Sequence, residues 1–212
     1  VLKIEKTEVV GWEHAIRGCR NPLNSWAKSD SALVFDDQQD EWKYQIGEND
    51  IGLMKRLAAN GPVHAKYRRM IVVYADVTAP LYWWKEADTY KVGTVANSCS
   101  TMHKIHSRDL TIDDFSIDGM DEESLQHLLC TIKLLNKKRK AFVATQDKTA
   151  WRSMIQLLPT NYNQKRTMMM NYEVLVGIYK WRKDHKLSEW HTFCDWIKSL
   201  PYSELITGEE KL

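Results

Sequence analysis

The chain has 212 residues, 30 of them basic and 28 acidic, for a formal net charge of +2. That length fits one domain and can bury on the order of 70% of the unfolded chain's surface, so folding needs neither disulfides nor a structural metal. With 43% apolar and 27% charged residues, the composition excludes a disordered chain. Near-neutral charge argues against wrapping nucleic acid, and apolar runs such as Met70 to Ala75 are too short to span a membrane.

Lys3, Glu5, Lys6 and Glu8 stand where a signal peptide would carry an apolar stretch. Cys19, Cys99, Cys130 and Cys194 form no C-x-x-C pair, which reads as free thiols in a reducing cytoplasm. Nine tryptophans are many, and such rings suit large cores, flat-ligand pockets and subunit contacts. No repeat, linker or biased tract marks a boundary, so residues 1–212 read as one domain.

In chain order, Leu2 to Val10 reads as a strand. Asn21-Pro22 and Ser29-Asp30-Ser31 carry turn chemistry, and Asp36 to Glu41 is a polar surface loop. Asn49 to Asn60 reads as a helix capped by Asn49 and stopped by Gly61-Pro62. Met70 to Thr78 is the strongest strand, with Ile71, Val73, Ala75 and Val77 on one face. Pro80 suits the first turn of a helix from Leu81 to Lys91. Val92 to His106, rich in small and hydroxyl residues, reads as irregular. Asp121 caps a long helix to Lys140, with Leu125, Leu128, Leu129, Ile132 and Leu135 as its stripe. Lys137 to Lys140 suit the negative end of that helix's dipole. Further helices are expected over Lys148 to Leu158, Met168 to Asp184 and Leu187 to Ser199. The mixture is α+β, helices in the majority.

Cys99, His103 and His106 have a spacing that would share a helix face and could hold a metal, but no fourth ligand is evident. Hydrogen-bonded histidines are the plainer reading, and no metal is expected. Cys99 lacks the local signature of a nucleophile. Gly93 and Gly119 build neither a Walker nor a Rossmann phosphate loop. The basic run Lys137 to Lys140 could touch phosphate but suits a solvated helix end, and the run Met168 to Met170 suits core filling. Arg68, Arg69, Lys85, Lys91 and Arg182 lie on segments that also carry aromatics. Arginine forks match phosphate oxygens and rings stack, so this pairing suits a ligand with flat rings and phosphates.

The stretch His64 to Met102 resembles the flavin-dependent thymidylate synthases. In that family a histidine-bearing segment leads into a strand, then Ala-Pro, then a Trp-bearing helix ending in RHRxxSxNExS. Met70 to Thr78, Ala79-Pro80 and Leu81 to Lys91 follow that order, and the signature falls on Thr89 to Cys99. Lys91 keeps a cation at the second arginine, and Thr94 keeps a hydroxyl at the serine. Tyr90 replaces the histidine, Thr89 the first arginine and Asn97 the glutamate, while Cys99, flanked by Ser98 and Ser100, replaces the last serine. His64 matches the first histidine of the lead-in GHxSxxEH, and Met70 replaces the second. Near the C-terminus, Asn171 and Arg182 keep the family's separation of eleven residues, with Glu189 following.

The resemblance implies an antiparallel sheet packed with helices, and four chains assembled as a homotetramer. It implies FAD with methylenetetrahydrofolate as carbon donor, NADPH as reductant, and methylation of a pyrimidine nucleotide such as dUMP at C5. The cofactors carry the chemistry, and no protein nucleophile is needed. By the same resemblance, His64, Tyr90, Lys91 and Asn171 would hold the flavin. Glu86, Thr94, Asn97, Ser98, Ser100 and Arg182 would serve the nucleotide, Arg182 through its phosphate, with Glu86 orienting Lys91. The replacement at Thr89 removes a cation, and Asn97 for Glu changes which exocyclic groups are favoured. Two other readings stay open: a catalytically silent nucleotide-binding or assembly protein on this scaffold, and a nucleic-acid module using Lys137 to Lys140.

Overall fold

The computed structural model describes residues 2–38 and 40–209. The strands are β1 (Lys3–Val10), β2 (Ala32–Asp36), β3 (Glu41–Gln45), β4 (Val72–Pro80), β5 (Thr94–Ser98) and β6 (Asn163–Asn171). The helices are α1 (Trp12–Arg20), α2 (Glu48–Ala59), α3 (Leu81–Ala87), α4 (Thr101–Lys104), α5 (Glu122–Thr145), α6 (Lys148–Leu157), α7 (Tyr172–Arg182), α8 (Ser188–Ser199) and α9 (Glu204–Thr207). The main sheet has the order β1-β4-β6-β5 and is antiparallel; β2 and β3 form a separate hairpin. The fold is α+β, helices in the majority, as the sequence implies.

The chain forms two compact units. The first takes residues up to Glu5, Asp76–Thr89 and Ala96–Thr167. Its core joins Ile105, Leu110 and Phe115 to Leu128, Ile132 and Leu135 of α5 and Met154 of α6. Burying each such side chain stabilises by roughly 1.5–3 kcal/mol. Asp121 caps α5 through the Ser124 N–H, as its position before the apolar stripe predicts. The helix runs on to Thr145, so Lys137 to Lys140 lie well inside it rather than at its end, and Leu129 is exposed. Arg139 is engaged by Asp109 at 2.7 Å.

The second unit takes Lys6–Ala75, Tyr90–Val95 and Met168–Leu212. Trp12 meets Tyr172 and Tyr202 edge-on at 5.3 and 5.2 Å. The strand face read from sequence is buried: Ile71, Val73 and Ala75 in this unit, and Val77 in the first. A buried polar node fixes the N-terminal third. Asp50 accepts from Arg20 Nε at 2.6 Å, from Ser29 Oγ at 2.7 Å and from Ser31 Oγ at 2.6 Å. Burial opposes the Asp50 charge, but these donors outweigh it and hold the carboxyl below the usual range. The turn chemistry read at Ser29 to Ser31 thus has a second role as the anchor of Asp50.

Several expectations need correction. Helix α2 starts at Glu48 with Gly47 at its N-cap, and Asn49 does not cap it; the Asp30 carboxylate accepts from the Asn49 and Asp50 N–H groups instead. Pro80 is the N-cap of α3, whose first N–H groups donate to the Tyr162 and Thr160 carbonyls. That helix ends at Ala87, four residues short of Lys91. Val92 to His106 holds strand β5, exposed along the sheet edge, where an apolar alternation is not required. Met168 to Met170 belong to β6 and not to a helix; pairing on both sides overrides methionine's helix preference. Helix α7 accordingly begins only at Tyr172. The polar run Asp36 to Glu41 closes the β2–β3 hairpin, apart from Gln39, which lies outside the described residues. No helix among the described residues is long and apolar enough to cross a membrane.

Candidate functional site

In the second unit the sequence Tyr90 to Thr94 makes a tight backbone turn. Gly93 has φ +83°, and a Cβ there would stand 2.6 Å from Asn171 Nδ2, so glycine is required on both counts. The Asn171 N–H donates to the Gly93 carbonyl at 3.1 Å, which holds the turn against the end of β6. Asn171 is also the N-cap of α7, accepting from the Val174 N–H at 2.9 Å. Its Nδ2 has no hydrogen-bond partner among the described residues, so its two N–H donors remain for a ligand acceptor.

Helix α7 carries Arg182 at its last position, three turns from that cap. Arg182 Nε donates to the Tyr90 hydroxyl at 2.9 Å. Its guanidinium carbon lies 4.7 Å over the Trp190 ring and 5.5 Å over Tyr90. Tyr90 and Trp190 meet edge-on at 6.1 Å, and Trp190 is fully buried. Rings on two sides and a hydroxyl on Nε fix the plane of the guanidinium, an arrangement suited to a phosphate or another flat anion. Thr94 donates its hydroxyl to the Tyr90 carbonyl. Lys91 and His64 are exposed, His64 in the turn that follows α2.

The first unit holds the rest. Glu86 lies in α3, and its carbonyl accepts from the Thr89 N–H at 3.1 Å and the Thr89 hydroxyl at 2.7 Å. Asn97 and Ser98 are exposed on β5. Ser100 caps α4, accepting from the His103 N–H at 3.2 Å and lying 2.8 Å from His103 Nδ1. Ser100 also lines a cleft of about 230 Å³ with Cys99, Lys104, Arg108, Gln164 and Lys165. Arg108 in that cleft is paired with Asp114. His106 packs edge-on to Phe142 at 5.0 Å, away from the role of a ligand. Among the described residues no group of three His, Cys, Asp or Glu could hold a metal ion.

The structure therefore brings Tyr90, Thr94, Asn171 and Arg182 into one linked set, and places Glu86, Asn97, Ser98 and Ser100 in the other unit. Sequence reasoning missed Trp190, for which only its place eight residues after Arg182 gives a hint. It also missed Gln164 and Arg166 of β6, because the strand itself was not read. Arg68, read from sequence as a cation near aromatics, instead meets Glu173 at 3.9 Å, a partner the sequence reading missed; Arg68 Nε and Glu173 Oε2 are buried without a hydrogen-bond partner among the described residues.

The donor set fits a flat, phosphate-bearing ligand. Cations (Lys91, Arg182) suit phosphates, the Tyr90 ring suits stacking, and the Asn171 amide suits a ring carbonyl. Comparison with known structures gives the class: the chain has the fold of the flavin-dependent thymidylate synthases. The enzyme from Helicobacter pylori, crystallised with FAD and dUMP, aligns over 99% of this chain and 100% of its own, with TM-score 0.69 and 14% identity. A UMP/dUMP methylase from Streptomyces cacaoi, bound with 5-Br UMP, aligns over 98% of this chain and 95% of its own, with TM-score 0.64 and 12% identity. At such identities the likeness is one of fold. No model of a known protein family matches the chain, and no curated protein matches it by sequence.

Proposed function

We propose that this chain binds a pyrimidine nucleotide and FAD and methylates the nucleotide at C5, with methylenetetrahydrofolate as carbon donor and NADPH as reductant. The observation that carries this reading is Arg182. It stands eleven residues after Asn171, as the family pattern requires, and its guanidinium is oriented by Tyr90 and Trp190. Support comes from the fold, shared over the full chain with an enzyme crystallised with FAD and dUMP.

On this reading Arg182 of the second unit binds the nucleotide phosphate and Thr94 of the same unit bonds the nucleotide, while Asn97, Ser98 and Ser100 are the first unit's own donors for a nucleotide. His64, Tyr90, Lys91 and Asn171 hold the flavin, Asn171 through its Nδ2. The flavin, when bound, supplies a hydride. The chain's own work is to bind, orient and exclude water. Four chains would assemble, and Leu33, Val34, Phe35 and Trp42 of the exposed hairpin are apolar surface that an assembly could cover. The test is to incubate the protein with dUMP, FAD, NADPH and methylenetetrahydrofolate and seek the methylated nucleotide by mass spectrometry. Its formation is expected; tight nucleotide binding without product would instead support a silent binding protein.

That second reading has its own observation. Two replaced signature positions are engaged by the protein itself: Tyr90 accepts from Arg182, and Thr89 donates back to Glu86. Each contact takes up a polar group that turnover could use.

A further inference from the structure

Gln164 and Arg166 are alternate residues of β6 and so lie on one face of the strand. Together they tie down both ends of the signature segment within the first unit. Gln164 Nε2 donates to the Cys99 carbonyl at 2.8 Å, at the segment's last position. Arg166 Nη1 donates to Asp88 Oδ1 at 2.7 Å, one residue before the segment begins at Thr89. The two side chains also bond each other, Arg166 Nε to Gln164 Oε1 at 3.0 Å. Trp84 lies beneath the guanidinium at 4.1 Å, and its own Nε1 donates to the Gln164 carbonyl at 3.0 Å.

Three contacts thus fix the plane of Arg166, yet its Nη2 has no hydrogen-bond partner among the described residues. It is not among the buried atoms that lack one, and the side chain is 14% exposed, so this edge meets solvent. A guanidinium with its plane fixed and one edge open is a receptor for oxyanions. Its partner Asp88 directly precedes Thr89, where the signature has its first arginine and this chain has no cation. We propose that Arg166 supplies that missing cation and binds phosphoryl oxygens of the nucleotide or of the flavin's diphosphate.

The proposal rests on the nucleotide- and flavin-binding reading above. Asp88, 54% exposed at its side chain, opposes an anion and weakens the site without closing it. Asn at position 88 could still accept from Arg166, so Asp88→Asn removes only the opposing charge.

The experiment is calorimetric titration of the wild type, Arg166→Ala, Arg166→Lys and Asp88→Asn with inorganic pyrophosphate, dUMP and FAD. Arg166→Ala is expected to weaken pyrophosphate binding roughly tenfold or more, the loss of a charged hydrogen bond. Arg166→Lys should fall between, having charge without the fork. Asp88→Asn should tighten binding severalfold. A parallel loss for dUMP alone assigns the nucleotide phosphate, and for FAD alone the flavin diphosphate. Equal affinities across the variants overturn the proposal. Should Arg166→Ala fail to fold, Asp88→Asn decides, since it keeps the stack and the Gln164 bond, and an unchanged affinity then overturns it. A wild type that binds neither dUMP nor FAD sinks the functional reading, and the pyrophosphate series still judges Arg166 by itself.

Discussion

Arg20 and Arg166 each meet one aspartate at close range, 2.6 Å to Asp50 and 2.7 Å to Asp88, in very different surroundings. Arg20 and Asp50 are 5% and 1% exposed, and two serine hydroxyls and the Asp30 N–H complete the carboxylate's shell. Arg166 is 14% exposed with an open edge, and Asp88 is 54% exposed. In the first pair both charges are withdrawn from solvent, so neither can serve a ligand and each depends on the other for stability. In the second, the contacts orient a cation without enclosing it. The difference separates an arginine that holds the fold from one that can act.

The largest expected effect lies at the enclosed pair. Asp50→Ala leaves Arg20 buried without a counter-charge and should cost about 3–5 kcal/mol of stability, read as a fall in urea midpoint with unchanged slope. The pair also sets an acid dependence. Because the folded Asp50 carboxyl lies below its ordinary value, its contribution is present above the unfolded pKa and is lost as pH falls through the folded one. Asp50→Asn should therefore flatten the acid limb of the stability profile; an unchanged limb would remove Asp50 from its cause.

A smaller effect, of another kind, is expected at Arg182. Arg182→Met keeps much of the packing on Trp190 but removes the charge. It should weaken dUMP binding by about tenfold to a hundredfold, a loss of roughly 1.5–3 kcal/mol for a charged hydrogen bond, with the melting temperature little changed. A large loss of stability with unchanged affinity would place Arg182 with Arg20 instead. Smallest is Gly93→Ala, where positive φ and the Asn171 contact make an added Cβ costly by about 1–2 kcal/mol. Its urea midpoint should fall, and affinity should fall too if the Asn171 amide is displaced from a ligand.

Much of the fold was legible because its apolar periods are local. Ile71 to Val77 alternates cleanly, and the α5 stripe follows a capping aspartate. The hairpin and β5 escaped because neither has a buried face: Leu33, Val34 and Phe35 are all exposed, and β5 is polar on the sheet edge. β6 escaped because three methionines favour a helix when read locally, while the strand depends on partners far away in sequence. The site divides the same way. Arg182 is marked by a fixed separation from Asn171, but Arg166 is defined chiefly by Trp84 and Asp88, contacts distant in sequence with no spacing to betray them.

On the proposed reading this chain holds a flavin beside a pyrimidine nucleotide. The most direct measurement is the visible absorption spectrum of the purified protein after FAD addition and desalting, repeated with dUMP. A retained flavin band that shifts when dUMP is added is the predicted result. Flavin that washes through completely, with no dUMP-dependent change, would contradict the account and leave only the shared fold.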